Sequence, residues 1–103
     1  MSHTHLSRVR PVPEEWQDLS EAENDAQSAA IYAAIERHGG EMKAVGVSPS
    51  AMNMVSVIEY PDEASAQRAV AEIMALGTLE FESIETLWDV ADWTSQLRAA
   101  QNG

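Results

Sequence analysis

The chain has 103 residues, so we expect one domain over residues 1–103 with frayed ends at 1–3 and 101–103. Seventeen acidic residues against six basic ones give a net charge of −11, which argues against nucleic-acid binding because phosphate contacts need clustered Lys and Arg. Cysteine is absent, so disulfides, thiolate metal sites and cysteine nucleophiles are excluded.

The first predicted elements are a strand and a capped helix. Residues 4–10 alternate loosely and end before Pro11-Val12-Pro13, which favours an extended loop. Trp16 and Leu19 are expected to hold a short turn against the domain. Ser20 and Glu23 have the spacing of a capping box, and Gly39-Gly40 is a stop signal, which together predict a helix over 21–38. Its predicted buried stripe comprises Ala26, Ala30, Ile31, Ala33, Ala34 and Ile35.

The second half of the chain repeats the pattern of strand and helix. A strand is predicted at 41–47, and another at 51–60 after the turn Ser48-Pro49-Ser50. The strand at 51–60 is apolar on both sides, which predicts a central position with both faces covered. Asp62 is the predicted N-cap of a helix that ends at Leu76, before Gly77. A cleanly alternating strand at 79–88 and a short helix at 89–101 complete the chain.

The element order is therefore β-α-β-β-α-β with an additional C-terminal helix. This order predicts a ferredoxin-like α+β fold with a four-stranded antiparallel sheet and helices on one face. A bare second face does not suit a central strand that is apolar on both sides. We therefore expect a second sheet to cover it in a two-fold homodimer, which is the commonest closed assembly.

Two stretches carry a family resemblance. A helix ending in Gly39-Gly40 is followed by a hairpin, by VIEYPDEASAQRAVAEIMALG and then by ESIETL. The segment PVPEEWQDLSEAE has the pattern P-x-x-W-x-x-L-S-x-x-E before the first long helix. The chain resembles the dimeric α+β barrel superfamily, and residues 38–93 are similar to its short GYD-like members. Other short, uncharacterised barrel proteins share the second pattern.

The resemblance implies a homodimer whose facing sheets enclose a pocket. Members of the superfamily include cofactor-free quinone-forming monooxygenases, lactone isomerases, haem-handling enzymes and ligand-sensing domains. Such a fold specifies architecture rather than chemistry, so the function must be argued from the residues of a site.

The candidate catalytic residues lie on the first and last predicted strands. His5 is a candidate acid or base if its side of the strand faces a pocket. Arg8 could hold an anionic or enolate oxygen, while Glu82 or Glu85 could move a proton if burial raised its pKa. The alternative is structural, because opposite charges on neighbouring strands stabilise a sheet by about 0.2–1 kcal/mol per pair.

Histidine offers only weak support for a metal or cofactor. His3 and His5 share one face of a strand, but two ligands without a nearby third make a poor metal site. His38 ends a helix, where a protonated imidazole favours the helix dipole, and it is poorly placed for haem. We therefore expect no metal and no cofactor.

An apolar lining is the remaining clue to function. The predicted ligand-binding residues are Met52, Met54, Ile58, Ile84 and Trp88. Methionine suits an adaptable apolar pocket, although the same residues suit a dimer core equally well. The favoured hypothesis is a homodimer that binds a small apolar or aromatic metabolite between its sheets. The alternatives are a cofactor-free monooxygenase or isomerase for an enolisable or polycyclic substrate, and a structural dimer without a ligand.

The expected cellular location rests on two features that the sequence lacks, a membrane-spanning segment and a secretory signal. No segment approaches the roughly 20 apolar residues that span a bilayer. The start of the chain, MSHTHLSRVR, lacks the apolar region of a secretory signal. We therefore expect an acidic cytoplasmic protein that has neither a membrane nor a nucleic acid as its partner.

Overall fold

Four antiparallel strands form the sheet of this protein, whose computed structural model describes residues 2–102. The strands are β1 (His3–Pro11), β2 (Glu41–Ser48), β3 (Asn53–Tyr60) and β4 (Leu79–Leu87), in the spatial order β2-β3-β1-β4. The helices are α1 (Pro13–Trp16), α2 (Glu21–Arg37), α3 (Glu63–Leu76) and α4 (Val90–Asn102). The predicted ferredoxin-like α+β fold with a C-terminal helix is confirmed, and β1 and β3 are its central strands.

The ends of the two long helices follow the local signals in the sequence. Ser20 caps α2 through its hydroxyl, which accepts a hydrogen bond from the Glu23 amide at 3.1 Å, and the Glu23 carboxylate accepts one from the Ser20 amide at 3.1 Å. Asp62 caps α3 by accepting from the Ser65 amide at 2.7 Å. Gly77 ends α3 with φ of 73°, a left-handed conformation that glycine adopts without strain.

The hydrophobic core lies between one side of the sheet and the helices α2 and α3. Its buried residues are Ala34, Ile35, Ile58, Tyr60, Ala66, Ala69 and Ile73. The small alanines allow each helix to approach the sheet closely. We call this side of the sheet the helix-facing side.

The predicted buried stripe of α2 is only partly correct. Ala34 and Ile35 are buried, but Ala26 and Ala33 are exposed and Ala30 is only half-buried. Alanine carries too little apolar area to specify a helix face strongly, so only the last turns of this helix reach the core.

Most predicted boundaries shift by at most one residue, and two features differ more. The strand expected to start at 51 begins at Asn53, because Ala51 and Met52 belong to the preceding turn and Met52 adopts a positive φ of 55°. Pro13 starts the short helix α1 instead of prolonging a loop, since proline is well accommodated in the first turn of a helix. The turn at Trp16 is anchored as expected, by an indole nitrogen that donates to the Thr78 carbonyl at 2.7 Å.

Regular elements reach into both chain ends. His3 already belongs to β1, and 101–102 belong to α4. Met1 and Gly103, which fall within the segments expected to fray, lie outside the described residues. Within residues 2–102, no helix combines the length and the apolar character needed to cross a bilayer.

The second side of the sheet, here called the open face, carries Leu6, Arg8, Val55 and Val57. The core helices α2 and α3 pack on the opposite side. The sequence predicted that both faces of the sheet are covered, but the chain itself covers only one of them. The molecule measures 61 × 31 × 18 Å and has a radius of gyration of 16.3 Å. A compact domain of this length would have a radius of gyration of about 13 Å, so the single chain is extended.

Candidate functional site

A cavity of about 70 Å³ lies between the helix-facing side of the sheet and the helices. Its walls are mostly aliphatic and aromatic side chains from the four strands and from α2 and α3. The polar side chains of its lining belong to His5, Ser7, Tyr32, Ser56 and Tyr60, and none of the lining residues is Asp, Glu, Lys or Arg.

Two small polar residues form the middle of the cavity floor. Ser7 on β1 lies directly opposite Ser56 on β3, and their hydroxyl oxygens are 2.8 Å apart in a buried hydrogen bond. Branched aliphatic residues are usual at such central, helix-facing positions because they fill the space above the sheet. The paired serines are smaller than those residues and leave room beneath the helices.

His5 lies next to the serines on the same side of β1. Its side chain is buried, with 2% of the residue exposed, and its ring centroid lies 5.4 Å from that of Tyr60 and 5.7 Å from that of His3. Burial lowers the pKa of His5, and the neighbouring His3 lowers it further. The imidazole is therefore neutral at pH 7 and can accept a hydrogen bond or a proton.

Tyr60 ends β3 and closes one side of the cavity. The residue is 1% exposed, and its hydroxyl has no hydrogen-bond partner among the described residues. Burial raises the pKa of Tyr60 to about 12, so the phenol stays protonated and keeps its donor hydrogen.

The structure does not bring the four candidate catalytic residues together. His5 faces the cavity, whereas Arg8, Glu82 and Glu85 lie at the open face. Arg8 Nε lies 3.9 Å from Glu85 Oε1, and Arg10 Nη2 lies 3.5 Å from Glu82 Oε2. The β1–β4 ion pairs considered from the sequence therefore form, but the sheet separates them from His5.

The five predicted ligand-binding residues are also divided. Met54 and Ile58 line the cavity, but they face the helices of their own chain instead of a second sheet. Met52 is 71% exposed in the turn before β3, and Trp88 is 72% exposed just after β4. Ile84 is 44% exposed on the edge strand β4 and is outside the cavity lining.

Sequence reasoning missed Ser7, Ser56 and Tyr60 as site residues. A signal was present, because Ser56 interrupts the apolar run of the most hydrophobic strand and shares its side with Met54 and Ile58. A polar residue on the buried side of a central strand needs a hydrogen-bond partner, and this requirement points to the site.

The remaining histidine has a structural contact. His38 Nε2 lies 3.0 Å from a carboxylate oxygen of Glu72, which also pairs with Arg37 and so ties the end of α2 to α3. Among residues 2–102, no group of three or more His, Asp or Glu side chains is arranged to hold a metal ion.

Comparisons with known proteins establish the fold alone. No protein-family model matches the chain, and no curated protein matches it. Among solved structures, protein YJCS superposes with a TM-score of 0.54 at 9% identity, covering 86% of this chain and 99% of that one. Rv0793 from Mycobacterium tuberculosis gives 0.51 at 13% identity, covering 87% and 96%. The de novo designed protein Foldit4 gives 0.51 at 17% identity, covering 86% and 99%.

Proposed function

We propose that this protein is a homodimer in which each protomer binds a small apolar molecule between its own sheet and its helices. The observation that carries the proposal is the cavity itself, with apolar walls around a buried pair of serine hydroxyls. Small-molecule sites in proteins typically combine apolar walls with a few polar groups that orient the ligand.

The size of the cavity limits the class of ligand. A cavity of about 150 Å³ binds benzene, roughly twice the volume available here. A single ring would enter after small shifts of the half-buried Ile31 and the flexible Met42, both of which line the cavity. A polycyclic molecule is too large for this space, so the ligand we propose has at most one ring.

The dimer part of the proposal rests on the open face. Leu6, Val55 and Val57 lie at its centre together with Arg8, which is opposite Val55 and pairs with Glu85, while the Arg10–Glu82 ion pair lies towards the β4 edge. Apolar residues with an arginine among them are common at the centre of protein interfaces, where arginine is enriched over the rest of the surface. The extended shape of the single chain also suits a second copy, which would supply the layer that the open face lacks.

Toluene is a suitable probe of ligand binding because it is a single apolar ring. We expect saturable chemical-shift changes at cavity residues and a rise in the thermal midpoint as toluene is added. Ile31→Trp should block the cavity and remove both effects. Met74→Trp is the matched control, since Met74 is exposed on α3 and lies outside the cavity lining. If the wild-type protein shows no saturable binding, the proposed ligand-binding function is wrong, and the hypothesis of a structural dimer without a ligand remains.

A second candidate function is proton transfer, favoured by the buried neutral imidazole of His5 beside the cavity. In this case His5 would take a proton from the carbon next to a ligand carbonyl and return it to the same carbon. Cyclohexanone in D2O tests the idea, because such cycles replace its α-hydrogens with deuterium. We expect exchange faster than with free imidazole at equal concentration, and its loss in His5→Gln. Equal rates for the protein and free imidazole would eliminate this candidate.

A further inference from the structure

We propose that the cavity selects an uncharged ligand whose carbonyl-type oxygen accepts a hydrogen bond from the Tyr60 hydroxyl. This inference rests on the proposed binding function and specifies the ligand class. It assigns to Tyr60 the role of a specificity-determining residue.

The buried Tyr60 hydroxyl has no hydrogen-bond partner among residues 2–102. Nearly all buried polar groups in proteins are hydrogen-bonded, so a buried hydroxyl without a partner needs an explanation. Tyr60 is one of the residues that line the cavity, and its hydroxyl is fully buried and unpartnered among the described residues. The hydroxyl is closed to a molecule the size of water in the ligand-free protein, so a ligand oxygen would reach it through the same small shifts of lining side chains that admit the ring. An acceptor oxygen on a bound ligand would satisfy it.

The cavity floor offers a second donor of the same kind. Ser7 and Ser56 together carry two hydroxyl hydrogens, and the hydrogen bond between their oxygens uses one of them. The hydroxyl that accepts this bond retains its own hydrogen. A carbonyl oxygen has two lone pairs and can accept from both sources, whereas a hydrocarbon can accept from neither.

The charge of the lining also restricts the ligand. The lining contains no Asp, Glu, Lys or Arg, and burial lowers the pKa of His5, which favours its neutral form. A carboxylate or an ammonium group would therefore lose its hydration without meeting an opposite charge. The same lining accepts a neutral ligand without that penalty.

The proposal is tested by comparing the binding of three six-membered rings of similar size, namely cyclohexanone, methylenecyclohexane and cyclohexanecarboxylate. Methylenecyclohexane carries an exocyclic CH2 where cyclohexanone carries oxygen, and cyclohexanecarboxylate carries a negative charge. We expect cyclohexanone to bind the wild-type protein about three- to tenfold more tightly than methylenecyclohexane, the effect of one net hydrogen bond. Cyclohexanecarboxylate should bind more weakly than cyclohexanone.

Tyr60→Phe should reduce the affinity for cyclohexanone by the same factor and leave that for methylenecyclohexane unchanged. The unchanged affinity also shows that the variant is folded. Tyr32→Phe is the matched control, because Tyr32 also lines the cavity but is exposed to solvent. We expect this control to leave the preference for the ketone intact.

The outcomes separate the two proposals. Absence of binding by both neutral rings overturns the proposed binding function. Binding of both rings with equal affinity, or a preference that Tyr60→Phe leaves undiminished, overturns the role of Tyr60 and leaves binding in place. Carboxylate binding as tight as that of the ketone overturns the selection for an uncharged ligand.

Discussion

The unpartnered Tyr60 hydroxyl should lower the free energy of unfolding of the ligand-free protein, and this effect can be measured. A buried polar group without a partner destabilises the folded state by about 1–3 kcal/mol relative to its hydrated form. Tyr60→Phe removes only this hydroxyl, so we expect the free energy of unfolding in urea to rise by about 1 kcal/mol. Tyr32→Phe, at an exposed residue, should change it little. A clear loss of stability in Tyr60→Phe would mean that the hydroxyl already has a partner.

His5 should make stability depend on pH. Its pKa in the folded protein is lowered from 6.5, so the unfolded chain binds more protons in the window below pH 6.5. The free energy of unfolding should therefore fall as the pH drops from 6.5 towards the folded pKa, by at most about 1.4 kcal/mol per pH unit.

The control for this pH dependence is His5→Gln, which removes the titrating group. Glu23 and Asp62 also have lowered pKa values because they accept hydrogen bonds at helix caps, but both remain in the variant. The difference between the two stability curves therefore isolates His5. Parallel curves between pH 5 and pH 8 would contradict the assignment.

At the scale of elements, Gly40 controls how closely α2 approaches the sheet. A Cβ atom at this position would lie 2.6 Å from Ile35 Cγ2, 2.6 Å from Tyr60 Cε1 and 3.0 Å from the Ile35 carbonyl oxygen. We expect Gly40→Ala to lower the free energy of unfolding by about 1–3 kcal/mol, since these core groups would have to move.

Gly46 supplies the matched control for this prediction. It lies on the edge strand β2, and a Cβ atom there would meet nothing within 4 Å. Gly46→Ala should therefore leave stability unchanged or raise it slightly, because alanine has less conformational freedom in the unfolded chain. Equal losses in the two variants would show that the space around Gly40 is not the cause.

The strands show how far local sequence patterns reach. Alternation in β3 correctly grouped Met54 with Ile58, because side chains two apart point to the same side of a strand. Alternation does not say which side meets the helices. Which side meets the helices depends on packing against the distant residues Ile35 and Ile73. The sequence therefore predicted that Met54 and Ile58 line a space between two sheets, whereas they lie beneath the helices.

At the scale of the whole molecule, the open face predicts the assembly state. Light scattering at micromolar concentration should give twice the chain mass of 11.3 kDa. Val57→Glu should give a folded monomer, because it adds an unpaired charge at the centre of the open face. Ile58→Glu should unfold the chain instead, since Ile58 lies in the core. A monomeric wild-type mass would contradict the dimer, and a dimeric Val57→Glu would place the interface elsewhere.

The order of elements, the helix caps and the central position of β3 were all readable from the sequence. The helix caps depend on interactions within a few residues, such as the Ser20–Glu23 capping box and the left-handed Gly77. The central position of β3 was indicated by its own composition, because both of its sides are mostly apolar. The sequence alone also excluded cysteine chemistry and argued against nucleic acid.

Only the tertiary structure decided which candidate residues form one site. It placed His5 beside Ser7, Ser56 and Tyr60 and put Arg8 on the other side of the sheet. The physical reason is that a site combines residues from distant segments, and strand pairing and helix packing determine which of them meet. The net charge of −11 does not reveal where the charges lie. The structure shows that the cavity lining contains no Asp, Glu, Lys or Arg.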